Sequence, residues 1–239
     1  MARPPSPAAD AMKPGRETDP EPRTSRRKRK TRTRLLRAAL ELMADRGMEG
    51  VAINEITEAA DVGFGTFYNY FDSKEAIHDA LVEEVVGSFG AALDQVAEHA
   101  DDPAEIFAAS VRYTLRRAGQ EPLWGRFLVR SGFSARALEQ GLGPRMLRDL
   151  KQGIAASRFR TSDLPMTVVA VRGAVLSAID AQVELAQDKP SPLAFAVSLG
   201  LDRQSVPERT AAILLRLLGL DTNDAKEVAN RPLPEIDLP

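Results

Sequence analysis

The run ITEAADVGFGTFYNYFDSKEAI, from Ile56 to Ile77, constrains this chain more than any other stretch. Ile53, Ile56, Ala59 and Ala60 recur at helical spacing and give a short helix one apolar stripe. That helix has to stop at Asp61, since Asp tolerates the left-handed conformation that a sharp turn demands. Val62 then points back toward the core. Gly63 suits the cap of a second helix, where Gly costs only about a few tenths of a kcal/mol against Ser or Asn. The second helix is predicted to start at Phe64.

Within it Phe67 and Phe71, four residues apart, share one face, while Thr66, Tyr68, Asn69 and Tyr70 spread over the remainder. A short face of hydroxyls, an amide and aromatic rings suits base edges and phosphate oxygens, and Gly65 lets a nucleic-acid backbone come close. The same spacing also describes an ordinary helical hairpin with a half-buried aromatic cluster.

The segment GTFYNYFDSKEAI carries a Gly-Thr, two aromatic pairs and a Ser-Lys-Glu that opens the next helix. With these residues the stretch from Thr31 to Val86 resembles the N-terminal DNA-binding domain of the TetR family of transcriptional regulators. The resemblance implies that Asn54, Phe64, Gly65, Thr66, Tyr68 and Asn69 approach base edges, that Tyr70 and Lys74 hold phosphates, and that Phe67 and Phe71 are core. Lys74 also sits at a helix N-terminus, where the backbone dipole favours an anion. Gly63, Arg32 and Arg34 complete the expected DNA-facing set. The chain departs from the family pattern at Asp61, where Gly is usual, at Gly63, where Ser is frequent, and at Ala52, where a Thr commonly caps the second helix and touches phosphate.

Arg23, Arg26, Arg27, Lys28, Arg29, Lys30, Arg32, Arg34 and Arg37 follow one another without an intervening acidic residue, although the whole chain has a formal net charge of −2. Such a cluster releases counterions on meeting phosphates, adding affinity that falls with salt and carries little sequence preference. A solvated tail is the alternative. Residues 1–24 read as a disordered tail without the apolar core of a signal peptide, so a cytoplasmic, nucleoid-associated protein is expected. Residues 25–72 read as basic arm and helix-turn-helix domain, 73–221 as a helical effector-binding and dimerisation domain, and 222–239 as a loose C-terminal tail.

The first helix is predicted over about Thr31–Arg46, stopped by Gly47, and the fourth opens at Asp72 or Ser73 and runs through Ile77, Leu81, Val85, Phe89, Leu93 and Val96. Further helices open at Asp102-Pro103, Glu121-Pro122, Asp163 to Pro165, Ser191-Pro192 and Ser205 to Glu208. No strand alternation interrupts them, so the expected fold is all-α: a three-helix head joined by a long fourth helix to a helical body.

Two late apolar helices, Met166–Ala186 and Val206–Leu218, interleave large and small residues in a way that invites self-association. Val168, Val175, Leu176, Ile179, Val183, Ile213, Leu214, Leu217 and Leu218 are the candidate dimer residues, an intramolecular core being the alternative. A dimer sets two heads about 34–36 Å apart to read a pseudo-palindrome in duplex DNA. Family members place a ligand pocket in the middle of the body. There Phe107, Tyr113, Trp124, Phe127, Arg130, Phe133, Met146 and Arg172 are the candidate residues for a small hydrophobic or amphipathic effector. Arg112, Arg116 and Arg126 are further candidates for an anionic head group.

An enzyme is disfavoured. The 239 residues hold no Cys and two His. His78 reads as surface charge near Glu75, and His99 as a helix end beside Asp101 and Asp102, so no catalytic, cofactor or metal set is expected. No apolar run reads as a membrane span, and no membrane partner is expected. The expected function is a homodimeric repressor released from its operator by a small molecule. A constitutive DNA-binding dimer and an activator remain as alternatives.

Overall fold

The computed structural model describes residues 23–187 and 192–238. The expectations for the first 22 residues and for a helix start at Ser191 lie outside these. Among the described residues all regular structure is helical. Helix α1 spans Arg23–Arg46, α2 Ile53–Ala59 and α3 Phe64–Phe67, and together they form the head. The basic cluster is therefore not a separate arm. It forms the exposed first turns of α1, which begins about two turns ahead of the predicted start because Arg and Lys are good helix formers. Gly47, at φ +72°, ends α1, and its amide closes on the Met43 carbonyl at 2.8 Å.

The linking rod opens with α4, Lys74–Leu81, capped by the Ser73 hydroxyl, which accepts from the Ala76 amide at 3.1 Å. It passes through one π-helical stretch, Val82–Gly87, continues as α5, Ser88–Asp94, and tightens into a 3₁₀ turn, Gln95–Glu98. The body follows with α6 (Pro103–Gln120), α7 (Pro122–Gly132), α8 (Gly143–Ala155), α9 (Leu164–Leu185), α10 (Ala194–Ser198), α11 (Val206–Leu217) and α12 (Thr222–Asn230). Asp102 and Asp163 cap α6 and α9 through their carboxylates, as expected from the Asp and Pro that announce each start.

Two apolar cores result among the described residues. Leu35, Ala39, Met43, Ile56, Phe67, Phe71 and Ile77 pack the head, joined by Phe127 from α7. Phe89, Phe107, Leu115, Trp124, Phe159, Ile179 and Leu214 pack the body. Since α7 lies along α1, head and body share a wall.

The last residues are not a loose tail. Asp221 caps α12 by accepting from the Asn223 and Asp224 amides, and Ala225, Val228 and Ala229 are buried. Beyond it the chain is strapped to the body. The Tyr113 hydroxyl donates to the Pro234 carbonyl, the Asp237 amide to Gln95 Oε1 at 3.2 Å, and Arg112 Nη1 to the Arg231 carbonyl at 2.7 Å. The polar, Pro-containing composition of this stretch concealed partners more than a hundred residues upstream.

The reading of the apolar runs also needs correction. By length and composition Leu164–Leu185 is apolar enough to cross a membrane. Its inner face, with Val168, Val171, Leu176, Ile179 and Val183, is body core, and its outer face exposes Met166 and Val169. A helix apolar on both faces scores as a span whatever covers its second face.

Candidate functional site

The candidate reading face starts at the turn. Asp61 adopts φ +50°, the left-handed conformation its residue type allows, and Arg34 Nη2 donates to both its carbonyl and Oδ2 at 2.8 Å. This accounts for an Asp where the family pattern has Gly: the side chain is a staple. Arg34 is thereby paired at the turn, with its side chain still 40% exposed. Arg32 is likewise engaged, paired with Glu84 of the rod and placed 5.5 Å over the Phe71 ring. Ala52 offers no side-chain cap to α2. Glu55 takes over half of that task, accepting from the Ala52 amide at 2.8 Å and pairing with Arg46.

From Gly63 the chain winds one turn of α3 and continues in hydrogen-bonded turns to Phe71. Phe67 and Phe71 are buried, as spacing predicts, and their burial turns the intervening residues outward. Phe64 is 51% and Tyr68 49% exposed, two apolar rings held edge to face at 5.5 Å in open solvent. Asn54, Gly65 and Asn69 are also exposed, with Thr66 and Tyr70 half-buried beside them. A Cβ at Gly65 would meet only open space, so the smallness of this residue serves approach from outside. Lys74 stands at the start of α4, its amine 3.9 Å from a Glu49 carboxylate that is itself largely solvated.

Between the rod and the body lies a half-open cavity of about 140 Å³. Val82 and Val86 of the rod form one wall, and Phe107, Val111, Leu128, Met146, Val171 and Ile179 form much of the rest. Of the predicted ligand residues, Phe107, Met146 and Arg172 line it. Trp124 lies on the far side of the rod, its Nε1 donating to the Val85 carbonyl at 3.0 Å. Phe127 belongs to the head core, Tyr113 holds the C-terminal strap, and Phe133 and Arg130 are exposed. Arg112 and Arg116 pair with Glu208 and Arg126 with Asp45, also away from the cavity.

The polar end of the cavity went unread in the sequence. Arg145 and Arg148 line it, both bonded to Asp94: Arg145 through Nε at 3.1 Å and Nη2 at 2.9 Å, Arg148 through Nη1 at 2.6 Å. Arg148 Nε also reaches Asp149 at 3.0 Å. Burial pushes the Asp149 carboxyl up despite Arg148 beside it. Burial acts the same way on Asp94, but two guanidiniums outweigh it and hold that carboxyl below its usual value. Near the head, His78 is no surface charge. Its side chain is 12% exposed, Nε2 lies 3.1 Å from Ser131 Oγ, and burial lowers its pKa despite Asp79 nearby.

Of the nine predicted dimer residues, Val168, Leu176, Ile179, Val183, Leu214 and Leu218 are buried within the chain, and Val175 lines the cavity. Ile213 and Leu217 do face outward, 61% and 48% exposed, alongside Met166 at 59% and Val169 at 57%. Helical period separates the two faces, and the sequence reading selected mostly the inner one. Gly173 adds a place where a Cβ would meet nothing.

A helix-turn-helix head with an exposed polar and aromatic face, carried on a helix that also walls a cavity, is the architecture of a transcriptional regulator rather than an enzyme. The chain belongs to the TetR family: the tetracyclin repressor-like C-terminal domain model matches residues 102–231, and the model of bacterial regulatory proteins of the tetR family matches residues 35–81. The solved structure of RolR in complex with its ligand resorcinol is 38% identical, covering 89% of this chain and 100% of that one with a TM-score of 0.62. The transcriptional repressor DhaR of Mycobacterium sp. (strain GP1) is 32% identical over 102 residues, 41% of this chain and 50% of that protein. The transcriptional regulator TcmR of Streptomyces glaucescens is 33% identical over 100 residues, 42% of this chain and 44% of that protein. The chain thus spans about half the length of the curated relatives it matches.

Proposed function

We propose that this regulator is a cytoplasmic, nucleoid-associated homodimeric repressor, released from a pseudo-palindromic operator by a small hydroxylated aromatic molecule. The observation that carries the reading is a single rod that opens under the reading face at Lys74 and walls the cavity with Val82 and Val86. The domain division follows from it: a head of residues 25–72 and a body from 73 onward, which extends through α12 to the strap.

Cavity size and polarity narrow the ligand. A void of about 140 Å³ is close to the ~150 Å³ apolar cavity that takes up benzene in an unrelated protein, so one ring is the natural occupant. Arg172 lines the cavity as one further cation, while Arg145 and Arg148 are paired with Asp94 and Asp149, so the end they form offers donors and acceptors that already balance one another. That suits neutral phenolic hydroxyls better than a carboxylate. The capture of resorcinol by RolR supports the same class. Dimerisation through the outer faces of α9 and α11 is supported by Met166, Val169, Ile213 and Leu217, whose exposed apolar surface calls for a cover.

Selection of bound duplexes from a random pool tests the first part. An inverted repeat is expected, with half-site centres about 34–36 Å apart, and recovery of single half-sites alone refutes the dimeric reading. Titration of the selected complex with resorcinol, catechol, hydroquinone and benzoate tests the second. Release by a diphenol and not by benzoate is expected, and release by none of the four refutes a ligand of this class.

A further inference from the structure

The rod carries an irregularity where it can matter most. Over Val82–Gly87 the α pattern loosens to a π turn, a rare form that concentrates at functional sites. The Val85 carbonyl accepts from Trp124 Nε1 at 3.0 Å. Empty space lies on both sides: Val82 and Val86 border the cavity, while Glu84, Val85 and Ser88 border a groove shared with Leu40, Arg117 and Trp124. This stretch has room to shift sideways, which a close-packed helix lacks.

The groove holds a second anomaly. Arg117 is only 12% exposed, with its guanidinium 4.9 Å from the Phe89 ring centre and 5.0 Å from that of Trp124. Glu121, one turn on, gives Nη2 a long contact of 3.4 Å and stands 3.3 Å from Nε. Nevertheless Nε and Nη1 are buried without a hydrogen-bond partner among the described residues. A buried cation left with unused donors is costly and calls for an acceptor. Glu84 lines the same groove, and its present partner is Arg32 on α1.

We propose that Glu84 is a switch that exchanges partners. In the operator-binding form it pairs with Arg32 and ties the rod to the first helix of the head. When the cavity fills, pressure on Val82 and Val86 drives the π turn toward the groove, Glu84 passes to Arg117, and the head is untied. The exchange supplies the unused Nε and Nη1 donors of Arg117 with an acceptor beyond Glu121 and gives the equilibrium two discrete ends, as a two-state element requires. It rests on the ligand-released repressor reading for its direction, but the pairing itself is testable without ligand.

The experiment uses the full chain, the selected operator and resorcinol as probe. Without ligand, Glu84→Gln loses the tie, and operator affinity is expected to fall about fivefold, well within allosteric coupling energies. Arg117→Gln is expected to leave it within about twofold. With resorcinol, calorimetry on Arg117→Gln is expected to give a Kd within about twofold of the unaltered protein, while release of the operator drops from about tenfold to threefold or less. Trp124, the only tryptophan, reports the shift by a fluorescence change on ligand addition that Arg117→Gln suppresses.

Release by Arg117→Gln with the unaltered dose response overturns the proposal, and so does unchanged operator affinity in Glu84→Gln. Failure of the unaltered protein to bind resorcinol is instead a failure of the ligand reading, visible in calorimetry. The exchange is then judged on the two ligand-free affinities. Loss of folding in either variant shows in its thermal transition, and Arg117→Lys, which keeps the charge and Glu84 as its acceptor, is expected to restore release.

Discussion

Replacing Lys74 by Ala tests the reading face with little disturbance to the fold. Its amine lies 3.9 Å from Glu49 Oε2, a long contact to a side chain 88% exposed, so losing the pair is expected to cost within about 0.5 kcal/mol of stability. On DNA the same residue is expected to neutralise one phosphate, which contributes about 0.9 to the slope of log affinity against log salt. Between 50 and 200 mM salt the unaltered protein should therefore lose about 3.5-fold more affinity than Lys74→Ala. Fluorescence anisotropy with the selected operator across that salt series measures both slopes, and circular dichroism checks that the thermal transition is retained. An unchanged slope, with the affinity difference constant at every salt concentration, would refute a phosphate contact at this position.

Three further outcomes follow from particular contacts. His78 is buried with its pKa lowered from 6.5, so the unfolded chain takes up a proton first as pH falls. Its contribution to stability is complete above pH 6.5 and is lost as pH drops below that value through the folded pKa. Thermal melts between pH 7.5 and 5 should show this decline and a shallower one for His78→Gln; superimposable pH profiles would remove His78 as the cause. In Gly153→Ala the new Cβ would overlap the buried Phe159 ring, and a loss of about 1–3 kcal/mol is expected in denaturant melts. Ile213→Asp places a charge on the outer face of α11. It should shift sedimentation from dimer to monomer without unfolding the chain, and an unaltered dimer would place the interface elsewhere.

What the sequence disclosed depended on range. Stops and caps at Gly47, Asp61, Gly63, Ser73, Asp102 and Asp163 were legible because each is decided by a residue and its near neighbours. The outward placement of Tyr68 and Asn69 was legible for the same reason: burying Phe67 and Phe71 on one side of a short coil leaves those two little choice. The polar end of the cavity was not. Asp94 meets Arg145 and Arg148 across more than fifty residues, and Arg34 finds Asp61 across twenty-seven. Aromatic content was a poor guide to the cavity because large rings fill space: Trp124 and Phe127 pack walls on other sides of the same helices. In α9 apolar character on both faces masked which one the body claims for itself.

The strap after α12 has a consequence for anyone handling the gene. A product shortened at Leu220 would forfeit three enclosed side chains, Ala225, Val228 and Ala229, together with the Asp224 and Arg231 that Arg158 and Glu105 grip from elsewhere in the body. Nonsense and frameshift alleles that fall before α12 should therefore behave like core lesions, with falling protein abundance as their first sign.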